Sequence, residues 1–387
     1  MTDKIINDKQ KVFFPNLDGL RFVCFLLVFF HHWNLNCAVA IHDSKIRNVF
    51  NFLFQNGNIG VNIFFVLSGF LITFLLIKEK EFKKKISLRY FYIRRIFRIW
   101  PLYYLIIAIC FVFYPLIKFG LLHLVTESSN FYYYLAFASN FDVIKSYPQM
   151  PDVLPVIVLW SVSVEEQFYL VWPILLKYFS IGNYRYIFIS IILFTLFFRY
   201  MHLGHNEHDF AIRYFHTFSV IGDMAMGGLM AYYCSFENKI FAYIKNMPRF
   251  HIVFLYSLIL FLILFKKEIF QVDFFVVFER AILAIFFAII IAEQNFAKNS
   301  FFKFSSYKKV SMLGVYTYGL YCLQFFGILI VQRAFFKLGF DLGYALVNLA
   351  GCIFALLLII LLSKGSYHFF EKYFLKMKDR FAIIIQK

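Results

Sequence analysis

The sequence predicts an all-α, polytopic membrane protein with about ten transmembrane helices. Long uncharged runs recur over all 387 residues, and 61% of the residues are hydrophobic, with 57 Phe and 26 Tyr. A soluble domain could not bury that much apolar surface, so we interpret the runs as membrane-spanning helices. The formal net charge of +17 would also suit a protein that binds nucleic acid. However, the basic residues are grouped between the apolar runs, which indicates membrane topology and no nucleic-acid partner.

Ten apolar segments are candidates for crossing the hydrocarbon core of a bilayer. They comprise residues 20–40, 60–77, 99–119, 156–179, 186–200, 210–233, 252–265, 274–292, 313–332 and 341–362. The fifth and seventh are short, so a tilted, broken or re-entrant course remains open for each. Nine Lys and Arg residues fall between Lys78 and Arg98. With both termini in the cytoplasm, most basic residues lie on the inner side, as the positive-inside rule requires.

No repeat, linker or soluble appendage interrupts this pattern, which predicts a single integral membrane domain over residues 1–387. Residues 1–16 are expected to form a polar cytoplasmic N-terminus, and residues 363–387 a basic cytoplasmic tail. The six cysteines include no Cys-x-x-Cys pair, so neither a disulfide framework nor a zinc site is indicated. Three histidines between residues 202 and 208 match no strong metal pattern, and no metal is expected.

The first predicted span carries an arginine at its start and a histidine pair eleven residues later. Eleven steps of about 100° leave His32 about 20° from Arg21 around the helix and about 16 Å further along it. If Arg21 lies at one membrane face, His32 lies near the middle of a hydrocarbon core about 30 Å thick. Ionisable groups at that depth usually face a cavity or a partner, which favours a functional role. The alternative is that His31 and His32 only hold the bundle together.

The fourth predicted span carries a carboxylate at a similar depth. Glu165 lies nine residues from Val156, or about 14 Å along the helix from the predicted outer face. Ser161, Glu165 and Tyr169 share one face of this helix because they are spaced four residues apart. The structural interpretation is a salt bridge between Glu165 and a buried arginine. The functional interpretation, which we favour, is that Glu165 orients and supports His32.

A basic cluster precedes the third predicted span. Arg94 and Arg98 are four residues apart, so they share a helix face at the predicted cytoplasmic boundary, and Arg95 lies beside them. Guanidinium groups can pair bidentately with phosphate oxygens. A purely topological role and an additional role in phosphate binding both remain open for this cluster.

Three other features have structural interpretations beside functional ones. Gly60 and Gly69 are small residues that would let another helix approach the second span closely, whereas Ser68 is either structural or lines a cavity. In the eighth span, adjacent acidic and basic residues at positions 279 and 280 predict an internal ion pair. The long outer segment, residues 120–155, contains aromatic residues that would stack on a sugar or form an interfacial belt.

Four stretches together resemble membrane acyltransferase family 3, bacterial proteins that acylate, most often O-acetylate, extracytoplasmic carbohydrates. They occur in the family's order within residues 17–173, with fainter similarity up to residue 371. The matching pieces are Leu17-Asp18-Gly19-Leu20-Arg21 with His32 after ten intervening residues, residues 60–61 and 65–72, Arg94-Arg95-Ile96-Phe97-Arg98-Ile99-Trp100-Pro101-Leu102-Tyr103, and Leu159-Trp160-Ser161-Val162-Ser163-Val164-Glu165-Glu166-Gln167-Phe168-Tyr169.

The resemblance implies a ten-helix bundle in the bacterial cytoplasmic (inner) membrane. It also implies an acyl-CoA donor, usually acetyl-CoA, that approaches from the cytoplasm, and an acceptor hydroxyl reached from the opposite side. Arg21 and His32 match the family's essential arginine and histidine. Other functional positions of the family are matched by Arg94, Arg95, Arg98 and Glu165. Residues expected to support the site or to face the acceptor are Asp18, Ser68, Trp160, Ser161 and Tyr169.

The chain departs from the family pattern in two places. Tyr316-Thr317-Tyr318-Gly319-Leu320-Tyr321-Cys322-Leu323-Gln324 resembles a family segment that commonly ends in histidine, but here it ends in Gln324. The proline that usually follows the terminal glutamate soon after is absent after Glu371. Many family members also carry a C-terminal esterase-like domain, and none is expected in this chain.

We therefore expect an O-acyltransferase that transfers an acyl group, in the first instance acetyl, from cytoplasmic acyl-CoA to a hydroxyl of a cell-surface glycan or its lipid-linked precursor. Acyl-CoA would be a substrate, with no permanently bound cofactor. His32 would remove the acceptor's proton or carry the acyl group transiently. The alternative is a transporter or flippase in which mid-membrane histidine and glutamate relay protons. A third hypothesis is that the protein is a membrane scaffold.

Overall fold

The computed structural model describes residues 10–11, 14–114, 129–149, 154–381 and 384–385. Within them the chain is almost entirely helical, and the prediction of an all-α membrane protein is confirmed. The single pair of strands in this part of the chain has two residues each, with β1 (Gln10–Lys11) parallel to β2 (Ile384–Ile385). Most of the predicted N-terminal segment, the end of the third predicted span and residues 120–128 and 150–153 of the long outer segment lie outside the described residues.

The helices are numbered α1 to α18 in chain order. Their bounds are Pro15–Asn36, Ser44–Phe54, Ile59–Lys83, Leu88–Ala108, Phe131–Leu135, Ser139–Ser146, Leu159–Tyr178, Tyr184–Met201, Glu207–Phe215, Thr217–Ser235, Lys239–Lys245, Arg249–Leu264, Lys266–Ile269, Asp273–Phe296, Lys308–Gly314, Thr317–Lys337, Ala345–Ser366 and Lys372–Asp379. Two of them, α4 and α17, continue into π-helical turns at Ile109–Phe113 and Tyr367–Glu371.

Eight helical segments among the described residues are long and apolar enough to cross a membrane, and a bent pair raises the number to nine. The bent pair is α11 and α12, which meet at 93° and include the seventh predicted span. The sixth predicted span divides at His216 into α9 and α10. Although α10 has 19 residues, its glycines, tyrosines and Asp223 lower its mean hydropathy, so it is not among the eight.

The third predicted span begins earlier than its apolar run indicates. Helix α4 starts at Leu88 rather than at residue 99, so the basic cluster belongs to the helix itself. Long cationic side chains can lie within such a helix where their guanidinium groups reach a polar environment. Pro101 is also helical, and Pro173 occupies a similar interior position in α7, as neighbouring helices permit in membrane bundles.

Helices α3 and α10 pack closely at two glycines. A β-carbon on Gly69 would collide with the carbonyl oxygen of Met224, and one on Gly227 would collide with the carbonyl oxygen of Val66. A third glycine, Gly60, brings α3 against the backbone of α1. The prediction that small residues of the second span admit close neighbours is therefore confirmed.

Helix α1 is fixed in the bundle by hydrogen bonds at both ends. Near its start, Asn16 donates to the carbonyl of Gln294 at 2.7 Å. Near its end, the Trp33 indole donates to Asn348 Oδ1 at 2.9 Å, and Asn348 donates to the carbonyl of Cys37 at 3.0 Å. These side chains are buried, so α1 is held at a defined depth and rotation between α3, α15 and α16.

The predicted ion pair within the eighth span is not formed. Arg280 on α14 instead pairs with Asp223 on α10 at 2.5 Å, and both side chains are buried. Its neighbour Glu279 pairs with Lys266 at 2.7 Å. Adjacent residues on a helix point about 100° apart, so each charge reaches a partner on a different element.

The glycine contacts between α3 and α10 predict the stability of two alanine variants. Gly69→Ala and Gly227→Ala should each lose about 1–3 kcal/mol of stability, because the added methyl group meets rigid backbone. The midpoint of thermal unfolding in detergent is the measurement. Gly365→Ala is the matched control, since a β-carbon there meets nothing within 4 Å, and alanine should stabilise that helix by about 0.5–1 kcal/mol. Equal midpoints for all three variants would contradict the close packing.

Candidate active site

His32 lies on α1 and faces α16. Its Nδ1 atom is 3.0 Å from Oε1 of Gln324, and its ring lies 4.7 Å from the ring of Phe325, measured between centroids. Gln324 is fully buried, and its Nε2 donates to the carbonyl oxygen of Tyr321 at 2.9 Å. The neighbouring His31 points elsewhere, with Nδ1 at 3.3 Å from the carbonyl oxygen of Phe54.

Helix α16 also contacts the polar face of α7. The hydroxyl oxygens of Tyr321 and Ser161 are 2.7 Å apart, and Ser161 donates to the carbonyl of Val158 at 3.1 Å. Because the single hydroxyl hydrogen of Ser161 is used in that bond, Tyr321 donates to Ser161. Tyr321 and Gln324 are three residues apart, so α16 joins the surroundings of His32 to those of Ser161.

Glu165 has hydroxyl partners instead of the expected histidine. Ser68 on α3 donates to its Oε1 at 2.7 Å, and the Tyr169 hydroxyl lies 3.4 Å from its Oε2 and 2.9 Å from Ser68 Oγ. Arg95 and Arg98 act on this carboxylate electrostatically without an ion pair within 4 Å among the described residues. The expected orientation of His32 by Glu165 is therefore not seen. Gln324, on a different helix, is the residue whose side chain hydrogen-bonds to the imidazole.

Trp160, the other α7 residue expected at the site, packs among aromatic rings. Its indole lies edge-on to Phe215 at 5.0 Å and to Phe65 at 6.1 Å, between centroids. The indole that contacts a carboxylate is Trp100, which donates to Glu166 Oε2 at 2.9 Å. The aromatic residues of these motifs thus include one packing residue and one hydrogen-bond donor.

Three arginines from α1 and α4 lie near one another. Arg21 pairs with Asp18 at 2.7 Å, one helical turn away, and both side chains are partly exposed. The Arg95 guanidinium lies over the ring of Tyr169 at 5.2 Å, and its buried Nε has no hydrogen-bond partner among the described residues. Arg98 lies within electrostatic range of both Arg21 and Arg95. We call these three residues, Arg21, Arg95 and Arg98, the arginine cluster.

Arg94 is bound separately from the arginine cluster. Its Nη2 lies 3.4 Å from Oε2 of the buried Glu79, and its Nη1 donates to the carbonyl of Phe381 at 2.9 Å. The expected fork of Arg94 and Arg98 is therefore not formed. Beside Arg94 and Arg95 there is a small open cleft, whose other lining residues are Ile72, Leu75, Leu76, Glu79 and Phe91.

Several residues of this region are not assigned by the sequence analysis. Glu371, whose Oε1 accepts from Ser366 at 2.8 Å, acts on Arg98 electrostatically. Lys378 on α18 adds a positive charge near Arg98 and Arg95. The available sequence signal for Tyr321 and Gln324 is a pair of polar side chains spaced one turn apart in an apolar helix. No group of three or more His, Cys, Asp or Glu residues in the described part of the chain could hold a metal ion.

The contact between Ser68 and Glu165 predicts a stability difference between two serine variants. Ser68→Ala removes a donor from a buried carboxylate and should cost about 1–3 kcal/mol. Ser235→Ala is the control, because its hydroxyl donates only to the carbonyl of Ala231 in its own helix, and it should change stability by less than about 0.5 kcal/mol. Unfolding in detergent, followed by tryptophan fluorescence, measures both. An unchanged midpoint for Ser68→Ala would contradict the contact.

Comparisons with known proteins agree with the motifs. A family model described as an acyltransferase domain, that of acyltransferase family 3, matches residues 14–364. The putative peptidoglycan O-acetyltransferase YrhL of Bacillus subtilis is 35% identical over 166 residues, which are 42% of this chain and 24% of that protein. The peptidoglycan O-acetyltransferase OatA of Listeria monocytogenes is 33% identical over 178 residues, which are 44% of this chain and 25% of that protein.

A putative O-acetyltransferase of Staphylococcus aureus is 29% identical over 171 residues, which are 43% of this chain and 25% of that protein. The chain therefore matches about a quarter of the length of these curated relatives. No solved structure matches the chain. Because the family model covers nearly all of the described helices, the chain belongs to membrane acyltransferase family 3.

Proposed function

We propose that this protein is an integral membrane O-acyltransferase that transfers an acetyl group from acetyl-CoA to a hydroxyl of a cell-surface glycan or its lipid-linked precursor. The observation that carries the proposal is the arginine cluster, in which Arg21 lies on the same helix as His32 and Arg95 lies over the ring of Tyr169. Family membership and the names of the relatives, which specify O-acetyltransferases and in two cases peptidoglycan, support the reaction and the glycan acceptor.

The arginine cluster supports an anionic donor. Three guanidinium groups near one another repel each other, and Asp18 is the one carboxylate paired directly with them among the described residues. A bound polyanion would relieve this repulsion, and the fixed fork of a guanidinium suits phosphate oxygens. Lys378 adds to the same positive field. An acyl-CoA carries several phosphate groups at one end and the reactive thioester at the other. It therefore matches a site with a cationic part for the phosphates and an uncharged part for the thioester.

We place this cluster on the cytoplasmic side of the membrane, together with both termini. The concentration of Lys and Arg between Lys78 and Arg98 supports that orientation. His32 is then about 16 Å further along α1 than Arg21. The flexible pantetheine arm would carry the acetyl thioester toward His32 while the phosphates stay at the cluster. The acceptor would approach from the outer side.

His32 would act as the general base. Its imidazole removes the proton of the acceptor hydroxyl while that oxygen attacks the thioester carbonyl carbon. The new C–O bond forms, the C–S bond breaks, and CoA leaves as a thiolate that takes the proton from His32. The products are the O-acetylated glycan and CoA, and His32 returns to its neutral form.

Loss of His32 should abolish acetyl transfer. Purified His32→Ala should release CoA from acetyl-CoA at least about 10²-fold more slowly than wild type in the presence of a glycan acceptor. His31→Gln is the matched control, since its ring faces Phe54 instead, and it should retain most of the activity. Mass spectrometry of surface glycans from cells with and without the protein should show the added acetyl groups. Transport of an acceptor without His32-dependent CoA release would favour the transporter.

Loss of Arg98 should weaken donor binding selectively. Arg98→Gln should raise KM for acetyl-CoA about 10–100-fold, because a charge-assisted hydrogen bond contributes about 1.5–3 kcal/mol. Arg89→Gln removes an exposed arginine from the same helix and should leave KM nearly unchanged. Steady-state kinetics with varied acetyl-CoA distinguishes the two variants. Equal KM values for both would exclude Arg98 from the donor site.

A further inference from the structure

We propose that Gln324 is a positioning residue that holds neutral His32 in the tautomer protonated at Nδ1, leaving Nε2 free to accept a proton. This inference rests on the proposed acyl transfer for its catalytic meaning, although the tautomer itself can be measured without any turnover. Gln324 occupies the position at which the similar segment of the family commonly has histidine.

The orientation of the Gln324 amide follows from its second contact. One end of the amide lies 2.9 Å from the carbonyl oxygen of Tyr321. A carbonyl oxygen only accepts hydrogen bonds, so the NH₂ group of Gln324 must be at that end. The amide oxygen Oε1 is therefore the atom that faces the imidazole, and the reversed amide would place two acceptors together.

The protonation of His32 then follows from the same rule. Nδ1 lies 3.0 Å from Oε1 of Gln324, and an amide oxygen only accepts, so Nδ1 must carry the hydrogen. A neutral imidazole has one N–H group, so Nε2 bears the unshared pair. The described residues offer Nε2 no hydrogen-bond partner, which leaves this atom available to an acceptor hydroxyl.

The surroundings hold this arrangement firmly. Gln324 is fully buried, and the ring of Phe325 packs against the imidazole. The carbonyl of His32 accepts from Asn36 Nδ2 at 2.7 Å, which ties the backbone beside the ring to the last turn of α1. His31, whose ring lies 5.8 Å away, is the titratable neighbour that acts on His32, and α16 contributes only uncharged groups to this contact.

A neutral positioning group has a different effect from a carboxylate. A base oriented by a third group is the general pattern of activated histidine. A carboxylate in that place fixes the tautomer and strongly stabilises the imidazolium through its full negative charge, whereas the neutral amide of Gln324 fixes the tautomer and stabilises the imidazolium much less. Gln324→Leu and Gln324→Glu therefore separate the two effects.

The first measurement is the tautomer of His32 itself. Nitrogen NMR of protein labelled with ¹⁵N-histidine in lipid nanodiscs distinguishes protonated from unprotonated ring nitrogens, and the His32→Asn spectrum assigns the signals. Wild type should show a protonated Nδ1 and an unprotonated Nε2, and Gln324→Leu should show a mixture or the reverse. A wild-type spectrum with the proton on Nε2, or a Gln324→Leu spectrum identical to wild type, would overturn the inference.

The second measurement is the pH dependence of kcat/KM for acetyl-CoA. Gln324→Leu should lose about tenfold or more at every pH, since a wrong tautomer costs about 10⁴-fold in a serine protease triad. Gln324→Glu retains an acceptor oxygen and should recover activity at high pH. The negative charge of the new carboxylate also keeps His32 protonated to higher pH, so the acidic limb of the pH profile of this variant should shift to higher pH. Wild-type kcat/KM in Gln324→Leu would refute a positioning role.

Gln332→Leu is the matched structural control. Gln332 lies on the same helix and donates to the carbonyl of Asn36 at 3.3 Å, so its loss also removes a contact between α16 and α1. Its pH profile and its His32 signals should match those of wild type, and equal effects in both leucine variants would reduce Gln324 to a packing residue. If the tautomer shifts as expected but no variant, wild type included, releases CoA, the proposed reaction fails while the tautomer assignment stands.

Discussion

A charged or hydrogen-bonding group inside a bundle of apolar helices needs a partner from the protein, because lipid offers none. This requirement determines which helices of this chain meet. Asp223 on α10 and Arg280 on α14 neutralise each other, and Trp33 on α1 and Asn348 on α17 satisfy each other's polar groups. Between these polar contacts the helices approach through glycine, as α3 and α10 do. The polar pairs set rotation and depth, and the glycines permit the close distance.

Two members of the arginine cluster, Arg95 and Arg98, do not follow that pattern. Arg94, four residues before Arg98, has both a carboxylate and a carbonyl as partners. In contrast, Arg95 has a buried Nε without a partner in the described chain, and Arg98 lies within electrostatic range of Arg21 and Arg95 with no carboxylate within 4 Å among the described residues. Uncompensated positive charge is destabilising in a partly buried setting. A site that retains such positive charge beside a cleft is expected to bind a ligand with several negative charges.

The sequence predicts the features that are determined within a single helix, but it does not predict the contacts that depend on how neighbouring helices pack. Helical geometry correctly assigns Arg21 and His32 to one helix, which the structure places at Pro15–Asn36, and glycine spacing identifies close-packed faces. Depth along two separate helices does not reveal which side chains meet, so the expected contact of Glu165 with His32 is replaced by Ser68 and Gln324. Hydropathy alone likewise does not determine the number of spans, because α10 is buried by packing despite the low hydropathy of its small and polar residues.

The neutral partner of His32 bears on the choice between direct transfer and an acyl-histidine relay. Attack by Nε2 on the thioester would give an acyl-imidazole that still carries the Nδ1 hydrogen and is therefore cationic. The amide oxygen of Gln324 cannot take that proton, so the cation would persist in an apolar surrounding after CoA leaves. In direct transfer, the imidazolium forms together with the departing thiolate and passes its proton to it. For the proposed reaction, a histidine held by an amide instead of a carboxylate therefore favours direct transfer to the acceptor hydroxyl.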